Sequence, residues 1–336
     1  MGPTLSILEH HRLGLTLRPV FIGQVILLET FSHPAYGYKD GEFVLALEED
    51  EAITSDFISN YAKNLGKNIY INTEDFERMS EKTRGEITKL SRALSIGNAK
   101  KNATKHANLL SMQMETLYNN PFSDEILNNQ FQSTKNLSGL LLNHRDLHKD
   151  LYHTMSKSNY HYTITQPLLS SIMLLSFFQT IGGFSDKEIQ NLFLTSYFKD
   201  IGMSLIPREV FEKTNLTEFD MNLFAEHSQN SMQILNNRIP LSDSYLNMIK
   251  NHHFLNNKIQ MMINGQTSSG SNEFMTGIES SMLSSLDILV AMTHERPYRS
   301  ATSVFVALEL LKKVLSDEYP QEFKALVIFL KKFYSL

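Results

Sequence analysis

The stretch Leu168–Ile181 (LLSSIMLLSFFQTI) constrains this chain more than any other. It is apolar on nearly every side, so as a helix it must be covered on every side, which is the position of a helix at the centre of a bundle. Its most apolar part, Leu168–Phe178, is interrupted by Ser170, Ser171 and Ser176 and is too short to cross a bilayer. Gly182-Gly183 ends it, and Ser185-Asp-Lys-Glu188 is a capping-box pattern that opens the next helix. The rest of the chain must therefore supply the surrounding helices.

It does so from about Thr73 onward. Helical patterns cover Glu74–Leu94 and Ala103–Tyr118, broken at Gly97-Asn98 and at Asn119-Asn-Pro121. One or two helices follow over Asp124–Ser156. The helix opened at Ser185 runs to about Lys199–Asp200, where Gly202 and Pro207 stop it. Thr217 caps a helix that carries His227, and Ser242 or Asp243 caps one that ends in His252-His253. A helix from Phe274 to Thr293 carries Asp287. Ser303–Leu315 and Pro320–Phe333 close the chain, with Pro320 suited to a first helical position. Gly265–Ser271 (GQTSSGS) has the composition of a flexible loop.

Before Thr73 the pattern is different. Val20–Thr30 and Glu42–Leu47 are rich in β-branched and aromatic residues and read as strands, with His33–Gly41 between them as turn chemistry. Asp56–Leu65 has helical spacing with Gly66 as its stop, and Asn68–Ile71 reads as a short strand. The expected fold is mainly α: a small α/β module over 1–75, a helical linker over 76–123 and an all-α domain over 124–336.

The totals exclude several functions. There are no cysteines, so disulfides, thiolate metal sites and cysteine nucleophiles are out, which fits a reducing compartment. A net charge of -5 gives no sign of a nucleic-acid or anionic-membrane surface. No basic and apolar leader opens the chain and no segment is a membrane span, so a cytoplasmic location is expected.

Five residues carry the chemistry: Asp200, His227, His252, His253 and Asp287. Neutral imidazoles and carboxylates are the ligands of a small divalent ion. Their separations are helix-plus-loop lengths, so each would come from a different helix, and bundle cores do hold such sites. Two adjacent histidines converge only where the backbone turns away, as at a helix end. On the residues alone two readings stand: ligands of one site, or scattered surface histidines and caps. His144 and His148, at i and i+4, have the spacing to hold a metal on one helix face, but are expected to face solvent on a polar surface; His153 and His161 have no obvious partner and read as surface or core packing.

The order and surroundings of these residues resemble the HD-GYP family, bacterial metal-dependent phosphodiesterases that hydrolyse cyclic di-GMP. The resemblance covers roughly residues 125–320. It rests on Tyr197-Phe-Lys-Asp-Ile-Gly-Met203 with Ile206-Pro207, on His227 with Ile234-Leu235, on Asn251-His252-His253, and on Asp287 followed by Arg296-Pro-Tyr-Arg299 and Ala307-Leu308. The departures cluster. Ile164 stands where the family has its first histidine, Lys199 where it has the His of its His-Asp pair, and Met203 where a lysine aids the substrate phosphate. Phe254 replaces a glutamate, Lys258–Asn272 replaces the Gly-Tyr-Pro signature, and Val290 replaces an aspartate.

The resemblance implies that Asp200, His227, His252 and His253 hold one divalent ion (iron, manganese or zinc). It also implies that the second position, which in the family uses Asp287, is lost. Lys199 is expected in that position, paired with Asp200 or Asp287, or else on the surface. Arg296 and Arg299 are candidate phosphate contacts, or structural salt-bridge partners. The implied function is a catalytically impaired receptor for cyclic di-GMP, or a scaffold for other signalling proteins. The alternatives are a phosphodiesterase with residual activity and a metal-free regulatory domain of the HDOD kind.

Overall fold

A computed structural model describes residues 16–22, 30–31, 33–66, 68–76, scattered positions within 77–95, and then 96–158, 160–263 and 277–335. The chain begins with a small antiparallel sheet ordered β1-β6-β3-β4: β1 (Leu17–Phe21), β3 (Ala35–Lys39), β4 (Glu42–Leu47) and β6 (Asn68–Asn72). A two-stranded ribbon pairs β2 (Thr30–Phe31) with β5 (Glu51–Ala52). Helix α1 (Ser55–Asn64) is capped by Thr54, whose hydroxyl accepts from the Phe57 amide at 3.1 Å. Val20, Ala35, Leu47, Tyr61, Ile69 and Ile71 form a core of their own.

Two expectations are corrected in this module. The turn expected over His33–Gly41 is mostly strand: Ala35–Lys39 pairs with Glu42–Leu47, and only Asp40-Gly41 turns. Both turn residues have positive φ, 52° and 90°, as a two-residue Asp-Gly hairpin requires. The first strand is Leu17–Phe21 and ends well before Thr30; residues 23–29 of the expected strand lie outside the described residues.

The remainder is a helical bundle. Its helices are α2 (Ala99–Asn119), α3 (Asp124–Asn143), α4 (Leu147–Ser156), α5 (Tyr162–Ile181) and α6 (Asp186–Phe198). A 3₁₀ turn (Ile201–Leu205) and a single helical turn, α7 (Arg208–Phe211), follow. Then come α8 (Glu218–Leu235), α9 (Asp243–Lys250), α10 (Phe254–Ile263), α11 (Ile278–Thr293), α12 (Val304–Leu315) and α13 (Pro320–Tyr334). The capping boxes at Ser185 and Thr217 are both formed. Most of the expected helix Glu74–Leu94 and all of Gly265–Ser271 lie outside the described residues.

The central position of α5 is as expected. Leu168, Ile172, Leu175, Phe177 and Phe178 are all fully buried, each contributing about 1.5–3 kcal/mol relative to exposure. The helix is long and apolar enough for a membrane span, but its surface is covered by the other helices of the bundle. Helix α2 is not a linker standing apart: Ala103, Ala107, Leu110, Met114 and Leu117 share one core with α5, α6 and α11.

Helix α2 also repairs a defect in α5. Pro167 lies inside that helix and has no N–H to give the Thr163 carbonyl. The Tyr118 hydroxyl takes its place, 3.2 Å from Thr163 O and 3.3 Å from Asp200 O. Its single proton is shared between the freed carbonyl and Asp200 O, which ties α2 to both backbones.

Candidate metal centre

Asp200 follows the end of α6, at the entry to the 3₁₀ turn. That turn lies directly on α8. A Cβ at Gly202 would collide with His227 O and Ser231 N, so only glycine allows the approach. Ser231 then fastens the two: its hydroxyl donates to Lys199 O at 2.7 Å and accepts from the Gly202 amide at 2.8 Å. This brings Asp200 to His227 on α8. His252 and His253 occupy the turn between α9 and α10, where the backbone changes direction and both rings can face inward. The Ser284 hydroxyl on α11 donates to His252 O and holds that turn down.

The four side chains converge. Nε2 of His227 and Nε2 of His252 each lie 3.2 Å from Asp200 Oδ1, and they are 3.3 Å from each other. Nε2 of His253 is 3.1 Å from Nε2 of His227. The nitrogens of the three histidines lie within 4.8 Å of one another. Ligands on a tetrahedron about 2.05 Å from a zinc-sized ion stand about 3.3 Å apart, so the spacing suits such an ion.

Hydrogen bonding fixes what these atoms can do. The Nδ1–H of His227 donates to Phe224 O at 2.5 Å, and that of His252 to Ile249 O at 2.6 Å. In neutral rings both Nε2 atoms are then lone pairs, and they face a carboxylate oxygen. These are three acceptors with no donor among them; a hydrogen bond from His253 can answer only the His227 lone pair, and the His252 nitrogen facing the Asp200 carboxylate still calls for positive charge. A proton on one ring would supply a single bond, whereas a divalent ion answers all of them at once. The residues present therefore fit a divalent ion with borderline ligand preference.

The second oxygen of Asp200 has a different partner. Lys199 is completely buried, and its ammonium is in contact with Asp200 Oδ2 and 2.8 Å from Asp287 Oδ1. Burial alone would lower the lysine pKa; the two carboxylates outweigh it and raise it. Burial would likewise raise the Asp200 carboxyl, but Lys199, with the His227 and His252 contacts, holds it well below the usual range. Burial, then the neighbouring His252 and His227, push His253 down, so it is a neutral ring. Asp287 joins the cluster through the lysine ammonium.

Above these residues opens a cleft of about 740 Å³. Asp200, His227, His253 and Asp287 line it together with Arg296 and Arg299. Arg296 is stacked 4.1 Å over the Tyr162 ring and donates to Gln166 Oε1. Gln166 Nε2 donates to Asp287 Oδ1 at 2.8 Å. Arg299 donates to Ala291 O. Neither arginine is paired with a carboxylate among the described residues. Gln166 and Tyr162 were not singled out from sequence. Ile164, the position aligned with the family's first histidine, packs into the core, and Gln166, with Ser170 one turn further on, reaches Asp287 from that helix. A long carboxamide side chain one turn into a helix that is otherwise made of apolar and small hydroxyl residues in that half was the available signal.

His144, His148, His153 and His161 do not join this donor set. His148 is buried, contrary to the solvent-facing expectation, with Nε2 2.8 Å from Leu141 O; His144 is the half-buried C-cap of α3. His161 does have partners: it caps α5, with Nδ1 2.8 Å from Thr163 Oγ1 and Nε2 3.4 Å from Glu212. His153 packs edge-on against Tyr152.

An all-α bundle that gathers an aspartate from a helix end, a histidine from mid-helix and two from an interhelical turn, behind a small amino-terminal α/β region, has the HD-GYP-like fold. Among solved structures the chain is similar to Bd1817, a HDG"Y"P protein from Bdellovibrio bacteriovorus. The TM-score is 0.62 at 16% identity, covering 94% of this chain and 99% of that one. No family profile matches the chain, and no curated protein matches it.

Proposed function

We propose that this chain is a cyclic di-GMP receptor, or a signalling scaffold, of the HD-GYP kind that has lost most of its hydrolytic power. It holds one divalent ion (iron, manganese or zinc) on Asp200, His227, His252 and His253. Lys199 takes the place of a second ion, and Arg296 and Arg299 face the ligand phosphates from the cleft wall.

One observation carries this reading: the Lys199 ammonium is clasped by Asp200 Oδ2 and Asp287 Oδ1. Two-ion hydrolysis of a phosphodiester uses one ion to generate hydroxide and another to steady the attacking and leaving oxygens. An ammonium supplies charge but has no open coordination position and cannot activate water. Met203, apolar and lining the same cleft, adds nothing for a phosphate.

Calorimetry of cyclic di-GMP against protein loaded with zinc or manganese, run beside a nucleotide-release assay, tests the reading. Binding without release of pGpG or GMP is the expected result. Absence of binding sinks the receptor and leaves the scaffold. A second reading, residual hydrolysis with one ion, is favoured by the intact set of four donors on the cleft floor. Metal-dependent release of pGpG that disappears in His252→Ala would establish it in place of the first.

A further inference from the structure

The three histidines are oriented in two different ways. His227 and His252 each donate Nδ1–H to a carbonyl three residues back, Phe224 O and Ile249 O. These are backbone contacts, fixed by the fold. His253 has a side-chain partner instead: the carboxamide of Asn256, in the first turn of α10, with Nδ2 2.9 Å from His253 Nδ1.

An amide N–H₂ can only donate. In this arrangement His253 Nδ1 accepts, and its proton sits on Nε2, from which it points to the Nε2 lone pair of His227 at 3.1 Å. The chain of donors is consistent from end to end: Asn256 to His253, His253 to His227, His227 to Phe224 O. It is also incompatible with a metal ion on His253 Nε2, which must then be a lone pair. Binding requires the proton to leave Nε2 and appear on Nδ1, which needs an acceptor at the place Nδ2 now occupies. A half-turn of the Asn256 carboxamide puts Oδ1 there. The overall proton count is unchanged.

We propose that Asn256 is a two-way positioning residue for the metal centre. Its carboxamide turns over as His253 changes tautomer, so that one side chain supports both the hydrogen-bonded triad and the metal-bound one. Asparagine offers a donor and an acceptor of equal reach, which an aspartate or an alanine does not. Both His253 and Asn256 line the cleft, so a ligand that occupies the Asn256 amide also acts on the affinity for the ion. This inference rests on the metal ion assigned above but not on cyclic di-GMP.

The test is zinc affinity by chelator competition, together with ¹⁵N NMR of the histidine rings, on the full chain and on Asn256→Ala and Asn256→Asp. Outer partners of metal-bound histidines are worth about 10–100-fold in affinity. Asn256→Ala is expected to bind zinc at least tenfold more weakly. Asn256→Asp, which can only accept, is expected to bind as tightly as the parent or more tightly. In the parent the His253 proton should move from Nε2 to Nδ1 when zinc is added.

A merely structural role would make both variants equally weak, and that result overturns the proposal. An unchanged His253 tautomer on zinc addition to the parent overturns it too, without use of any variant. If the parent binds no zinc, manganese or iron, the metal assignment itself fails and takes this inference with it. If the parent binds zinc and Asn256→Ala binds it equally well, only the inference falls.

Discussion

Replacement of Lys199 by methionine removes a buried charge while nearly keeping the volume, and its consequences can be worked out in advance. The ammonium is wholly buried between Asp200 and Asp287. Removing one partner of a buried ion pair costs about 3–5 kcal/mol, because the remaining charge is left without compensation. For a chain of this size that is a fall of about 10 °C in melting temperature. The pH dependence separates this mechanism from simple misfit. In the parent, Asp200 is held well below its ordinary 3.8, so its contribution is present above about 4 and is lost as pH falls through the folded value. Lys199 is raised above its ordinary 10.5, so its contribution is present below that value and lost only as pH rises through the folded value. In Lys199→Met the two carboxylates are buried neighbours of like charge, and one takes up a proton well above pH 4. The deficit is therefore greatest near pH 7 and narrows towards pH 5. Manganese, with two oxygens freed to bind it, should restore stability in the variant, about 2.7 kcal/mol at a hundredfold excess over its dissociation constant. Urea unfolding at pH 7 and pH 5, with chelator or with manganese, measures all of this. A variant within about 0.5 kcal/mol of the parent at pH 7 refutes the reasoning. So does a deficit that is the same at both pH values.

Three other predictions follow from single contacts. Tyr118→Phe leaves the carbonyl freed by Pro167 unsatisfied next to the Asp200 backbone, and should cost about 1–3 kcal/mol in chemical denaturation, more than a typical surface substitution. Gly202→Ala forces the 3₁₀ turn off α8; metal affinity, read by chelator competition, should fall even at temperatures where circular dichroism shows the helices intact. His161 is lowered to about 4 by burial, then by Arg296 and Arg208. The parent should accordingly lose stability as pH falls from about 6.5 towards 4, and His161→Gln should flatten that slope in melts between pH 7 and pH 4.5.

How far the sequence could be read depended on the range of the interactions involved. The capping boxes at Ser185 and Thr217 and the apolar circumference of α5 are local, and they stand in the chain where the pattern places them. The strand Ala35–Lys39 is masked in the sequence by its turn-like composition (His33-Pro, Gly37, Asp40-Gly41), which outweighs the alternation of Tyr36 and Tyr38 ahead of a two-residue Asp-Gly hairpin. At the centre, residue types announced Asp200 and the histidines. Their meeting point depended on what no local pattern encodes: the close approach allowed by Gly202, the Ser231 clasp, and the Tyr118 hydroxyl arriving from a helix that reads as a linker.

Lys199 shows the same division most sharply. A lysine beside an aspartate near the end of a helix is, by sequence, as suited to solvent as to the interior. What commits it is the convergence of Asp200 from its own segment and Asp287 from α11, with Gln166 from α5 gripping the far carboxylate and carrying the connection to Arg296. A charge held between its own segment and a second helix cannot be replaced by adjusting one of them. Lys199, Asp287, Gln166 and Arg296 must therefore behave as a coupled set. Double substitutions among them should depart from additivity, whereas each paired with a remote site such as Tyr61 of the sheet core should not.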